Sequence, residues 1–95
     1  MNLYETLYVI VPTLDDEATA GVVAKFSEII AANGGEEVTV NAWGKRRLAY
    51  PINDLTEGYY VLVNFSAPGT LPLELERNFK NDERILRYMV IRKDA

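Results

Sequence analysis

Leu3-Tyr4-Glu5-Thr6-Leu7-Tyr8-Val9-Ile10-Val11 is the stretch on which the fold turns. It is aromatic, β-branched and apolar, and Pro12 stops it, so it predicts a strand. Side chains alternate across a strand. Tyr4, Thr6, Tyr8 and Ile10 therefore share one face, and Glu5, Leu7, Val9 and Val11 the other. Both faces are largely apolar, which places this strand in the middle of its sheet.

Outward from it, Asp15, Asp16 and Glu17 bring negative charge to the first turn of a helix, where the helix dipole favours it. Val22, Val23, Phe26, Ile29 and Ile30 follow at helical spacing as one apolar stripe. Asn33-Gly34-Gly35 stops the helix with residues that tolerate positive φ. A second strand is expected from Glu37 to Trp43, with Val38 and Val40 alternating against polar neighbours. It runs on past a bulge at Gly44 to Tyr50. Pro51 to Gly58 is rich in turn residues and leads to a third strand, Tyr59 to Phe65. The short link makes the pair an antiparallel hairpin. Thr70 is positioned to cap a second helix, with Pro72 in its first turn and Leu71, Leu75 and Phe79 on its buried face. Asn81-Asp82-Glu83 closes that helix, and Ile85 to Arg92 forms the last strand.

The order β-α-β-β-α-β, joined by right-handed crossovers, gives an α+β fold of the ferredoxin-like, split βαβ kind. One four-stranded antiparallel sheet carries both helices on one face. Thr6, Tyr8, Ile10, Val61, Val63, Phe65, Tyr88 and Val90 are expected to meet the helix stripes. Leu7, Val9, Tyr60, Leu62, Met89 and Ile91 then lie on the open face. No third layer is left to cover them, so these six residues form a candidate surface for a protein partner. At 95 residues the chain is sized for a single domain, 1–95.

Composition removes most enzyme classes. There is no cysteine and no histidine. Disulfides, thiolate metal sites and thiol nucleophiles go with the first, and the usual base near neutral pH goes with the second. The loop after the first strand, Pro12-Thr13-Leu14-Asp15-Asp16, repels anions. Gly34-Gly35 is a helix stop and belongs to no phosphate-binding motif. Three adjacent acids do not wrap a cation as a calcium loop does. No metal, cofactor or catalytic residue is expected. No apolar run approaches membrane-spanning length, and the start lacks the pattern of a signal peptide. A cytoplasmic protein is the simplest reading.

The formal net charge is −4, but its distribution is uneven. Before Gly44 the only basic residue is Lys25, against seven acids. From Lys45 onward nine basic residues face seven acids. Lys45, Arg46 and Arg47 stand in a row on a strand, and Arg84, Arg87, Arg92 and Lys93 cluster around the last strand. Guanidinium groups bind phosphates bidentately and stack on bases, so such strands suit an RNA backbone. Lys45, Arg46, Arg47, Arg87, Arg92 and Lys93 are the candidate RNA-binding residues. A single-strand reader of this topology carries aromatics on the open faces of its central strands. Tyr4 and Tyr8 point to the helix side and only Tyr60 is placed on the open face, which favours recognition of shape and backbone.

Lys45-Arg46-Arg47-Leu48-Ala49-Tyr50-Pro51-Ile52 resembles the signature of the bacterial small-subunit ribosomal protein six family. Tyr4-Glu5, Pro12, Gly58-Tyr59-Tyr60 and Ile85-Leu86-Arg87-Tyr88-Met89-Val90 fall in register with the same pattern, so the resemblance covers nearly the whole chain. It implies a non-enzymatic component of the small subunit. Such a component binds the central domain of small-subunit ribosomal RNA together with ribosomal protein eighteen of that subunit, as a heterodimer. That partner would cover the open face. By the same resemblance, Arg46 and Arg47 match the family's basic pair and Arg87 another of its basic positions. Asn2 and Leu3 depart from the basic residues many members carry after the initiator, and the long tail of some members is missing. The rival reading of the residues is a small-molecule-binding regulatory domain of the same fold, which predicts a homodimer with a pocket at its interface.

Overall fold

In a computed structural model the chain folds as β1 (Asn2–Ile10), α1 (Asp16–Ala32), β2 (Glu36–Ile52), β3 (Leu55–Ala67), α2 (Leu71–Lys80) and β4 (Ile85–Arg92). The structure describes residues 1–52 and 54–93, and the side chains of all of these except 37 and 38. The alternation expected of Val38 lies outside the described residues. The sheet order is β2-β3-β1-β4, so β1 is central as its two apolar faces require. Every neighbouring pair is antiparallel.

Both helices cover one face. Asp15 caps α1: its Oδ1 accepts the Ala18 amide at 2.7 Å. Val22, Phe26 and Ile30 are buried, with Val23 and Ile29 partly buried beside them. Gly34, at φ +84°, takes the left-handed turn that ends the helix. In α2, Leu71, Leu75 and Phe79 are buried as their spacing predicts. Thr70 does not act as the expected cap. Its own backbone is helical (φ −87°, ψ −18°), which turns its hydroxyl away from the amides it would satisfy, and it makes no capping hydrogen bond.

The core is aromatic at its centre. Phe79 lies 4.4 Å from Phe26 and 5.0 Å from Tyr8 between ring centroids, and Tyr88 stacks on its other side at 5.3 Å. Thr6, Tyr8, Ile10, Val61, Val63 and Phe65 are buried as expected. The Thr6 hydroxyl donates to the Met89 carbonyl at 2.8 Å, so its burial leaves no orphan polar group. Tyr88 is placed with the core by sequence yet is 39% exposed. It faces the helices, but β4 is an edge strand and no described strand flanks it on the outside.

Among the described residues one charged group is drawn inside. The Asp82 carboxylate is only 4% exposed and holds Lys25 of α1 and Arg84, each at 2.8 Å. It also accepts the Arg84 amide at 3.0 Å. The Arg84 guanidinium, and after it the Lys25 ammonium, hold Asp82 well below the usual carboxylate range, against the opposing effect of burial. A lowered folded pKa means that this stabilisation is complete above the ordinary carboxylate value. It is lost as pH falls through that value and below. Asp82→Asn is expected to cost about 2 kcal/mol at neutral pH, a charged hydrogen-bond hub being removed. The variant should also lose less melting temperature than the parent between about pH 5 and pH 2. Parallel acid melting curves would disprove the assignment.

Candidate nucleic-acid interface

β1 pairs with β3 only over residues 59–67. Leu55 to Gly58, and the β2 residues from Arg46 onward that accompany them, therefore run beyond the sheet as a two-stranded arm. The connection expected over Pro51–Gly58 is much shorter than that. Ile52 pairs with Leu55, and Asp54 takes φ +66° in a two-residue link. Pro51 does not break β2, because an edge strand has one side on which a missing N–H goes unnoticed.

The arm bends over the open face of the sheet. Val9 of β1 and Leu48 of β2 close over Gly58, and both are buried, at 4% and 8% exposure. Farther on, the Tyr50 ring meets the Arg87 guanidinium on β4, 5.5 Å from ring centroid to charge. β2 and β4 are opposite edges of the sheet, so only this bend lets the basic run approach Arg87. A Cβ on Gly58 would collide with Val9 Cγ1. Gly58→Ala is expected to lift Leu48 off and destabilise the fold by about 1–3 kcal/mol, the usual range for overpacking. Adding Val9→Ala should restore part of the loss in a double-mutant cycle, whereas plain additivity would refute the contact.

The open face thus differs from expectation at one position. Val9 lies on the assigned side but is covered by Leu48. Leu7, Tyr60 and Leu62 are half-buried, and Met89 and Ile91 are exposed at 45% and 43%. Trp43 joins them, unassigned by the sequence. The β2–β3 register slips between Ala42 and Gly44, so Trp43 is the extra residue of a bulge, and Gly44 sits at φ +79°. Gly44 stands opposite Tyr60 without a side chain. Trp43 fills that place and lies parallel to the Tyr60 ring, 6.1 Å between centroids and 9° between planes. A bulge at Gly44 was the signal available in the sequence; it fixes neither the side nor the partner of the indole.

The basic candidates separate into two groups. Lys45, Arg46, Arg47 and Arg87 surround the arm, exposed, and form no ion pair with an acid among the described residues. Lys93 and Arg92 sit six and five residues along β4 from Arg87, about 20 Å away for Lys93 at the ordinary strand rise. Lys93 is already engaged: its Nζ lies 3.4 Å from Glu5 and donates to the side-chain Oδ1 of Asn64 at 3.1 Å. Arg92 donates to Asn2 at 3.1 Å. Arg84 is consumed by Asp82. Among the described residues the arm is where uncommitted cationic charge is concentrated; Lys80, alone on α2, is another exposed cation without an ion pair. Among the described residues no group of three His, Cys, Asp or Glu side chains could hold a metal ion, and no helix is long and apolar enough to cross a membrane.

The family model described as "Ribosomal protein S6" matches residues 3–92. Small ribosomal subunit protein bS6 of Desulfitobacterium hafniense is 47% identical over 94 residues, covering 99% of each chain. Its counterpart from Clostridium novyi is 48% identical over 91 residues, covering 96% of each. The crystal structure of 30S ribosomal protein S6 from Thermotoga maritima superposes with a TM-score of 0.93 at 28% identity, covering 97% of this chain and 87% of that one. Matched by the family model over residues 3–92, by relatives at 47–48% identity and by a solved structure of the same fold, the chain belongs to the ribosomal protein S6 family, as a structural, non-enzymatic constituent of the small ribosomal subunit in the cytoplasm.

Proposed function

We propose that the chain binds the central domain of small-subunit ribosomal RNA as half of a heterodimer with ribosomal protein eighteen of that subunit. The observation that carries this reading is the arm. Lys45, Arg46, Arg47 and Arg87 project there without acidic partners among the described residues, while Lys25, Arg77, Arg84 and Lys93 are neutralised within the fold. Uncommitted guanidinium groups bind phosphate without first breaking an ion pair. Arg92 and Lys93 form a second, weaker candidate contact at the far end of the sheet. The protein partner is assigned to the open face, with Leu7, Tyr60, Leu62, Met89 and Ile91 as its contacts and Val9 supporting them from beneath Leu48. An apolar sheet face of this kind is best covered by another protein. A net charge of −4 opposes RNA binding by the chain alone and fits binding as one of a pair.

The test is a titration against a fragment of the RNA central domain, with and without ribosomal protein eighteen, at two salt concentrations. Tight binding that needs the partner and weakens with salt is expected, because phosphate contacts release counterions. A folded sample that binds in neither case would exclude the proposal.

A further inference from the structure

The root of the arm, where it leaves the sheet, carries a feature that neither the net charge nor the basic run requires. Trp43, Tyr60, Arg46 and Arg47 line a shallow notch of about 420 Å³. Tyr60 packs against the indole, yet Trp43 remains 40% exposed, so a broad aromatic surface stays open to solvent. Arg46 is tied to this surface: its Nε donates to the Trp43 carbonyl at 3.3 Å. Its terminal nitrogens have no partner among the described residues. An aromatic platform with guanidinium groups at its rim offers one surface to a base and another to the phosphate beside it.

We infer that this notch takes an unpaired RNA nucleotide, its base stacked on Trp43 and its phosphate held by Arg46 and Arg47. The inference rests on the RNA-binding reading above and adds to it the kind of RNA: a bulged or single-stranded nucleotide, not the side of an A-form helix. A paired base keeps its faces stacked within the helix and cannot reach the indole, whereas an unpaired one exposes its faces to any platform. Stacking tolerates any base, so the notch selects an unpaired nucleotide without selecting its identity.

Trp43 is the only tryptophan in the chain, so its fluorescence reports on this notch alone. A short single-stranded oligouridylate should quench it in a salt-dependent way, and a duplex RNA of the same length should not. With ribosomal protein eighteen and the central-domain fragment, Trp43→Ala should weaken binding about tenfold, read by anisotropy of labelled RNA. Trp43→Phe should recover most of that loss while melting like the parent. If the fragment binds and Arg46→Glu/Arg47→Glu weakens it, but Trp43→Ala does not, the nucleotide site is refuted and the RNA-binding reading stands. If ribosomal protein eighteen alone shifts the Trp43 emission and RNA adds nothing, the indole belongs to the protein interface and the inference fails. If no RNA binds under any condition, both readings fall together.

Discussion

Phe79→Ala will destabilise the fold by about 3–5 kcal/mol, the range for deleting a fully buried aromatic ring. Phe79 is 1% exposed and touches aromatic rings on three sides: Phe26 of α1, Tyr8 of β1 and Tyr88 of β4. Its removal leaves a cavity that no neighbour can fill. Tyr8 and Phe26 are fixed by their own burial, and Tyr88 is fixed by its pairing with Tyr8. Small domains hold only about 5–15 kcal/mol in total, so a large share of the stability goes with this one ring. A urea titration is the measurement, read as a lower midpoint with an unchanged slope. A midpoint within the error of the parent would mean that the aromatic centre of the core is misassigned.

Arg46→Glu combined with Arg47→Glu should lower affinity for the central-domain RNA by about a hundredfold at low salt. Two charge-assisted hydrogen bonds at roughly 1.5 kcal/mol each account for that factor. The slope of affinity against salt should fall by about two, one for each phosphate no longer neutralised. Both side chains are exposed and neither forms an ion pair with an acid among the described residues, so melting temperature should stay where it is. Lys93→Glu is the comparison, because Lys93 already serves Glu5 and Asn64. It should reduce RNA affinity less than either arginine. A larger effect at Lys93 would move the RNA-binding surface to the far end of the sheet.

Periodicity made much of the fold legible. β4 spans Ile85–Arg92 as expected, the helix stripes are buried, and β1 is central because both of its faces are apolar. These are properties of local pattern, and local pattern survives in one dimension. The hairpin is longer than its residues predict, because a residue rule meets an exception of place. Pro51 is a breaker inside a sheet but harmless at its rim, so the strands run on to Ile52 and from Leu55. The candidate site is half legible. Lys45, Arg46 and Arg47 declared themselves by adjacency, but adjacency could not separate Arg87 from Arg92 and Lys93 on the same strand. That separation comes from the bend of the arm, which depends on Gly58 giving room to Val9 and Leu48. The face of Trp43 is not legible in the sequence, because a bulge disturbs the very alternation by which faces are assigned.

The sheet order has a consequence for when this protein can exist. β1, made first, lies between β3 and β4, and its Tyr4 stands opposite Arg92. While the chain is being synthesised, α1 and the β2–β3 hairpin can form from neighbouring residues. The central strand pairs with β3 on one side but waits for its second partner, encoded some eighty residues later. Until then β1 is an open edge, and the Thr6 hydroxyl lacks the Met89 carbonyl that it donates to. The chain becomes fit to join a ribosome only after residue 92 has left the ribosome that makes it.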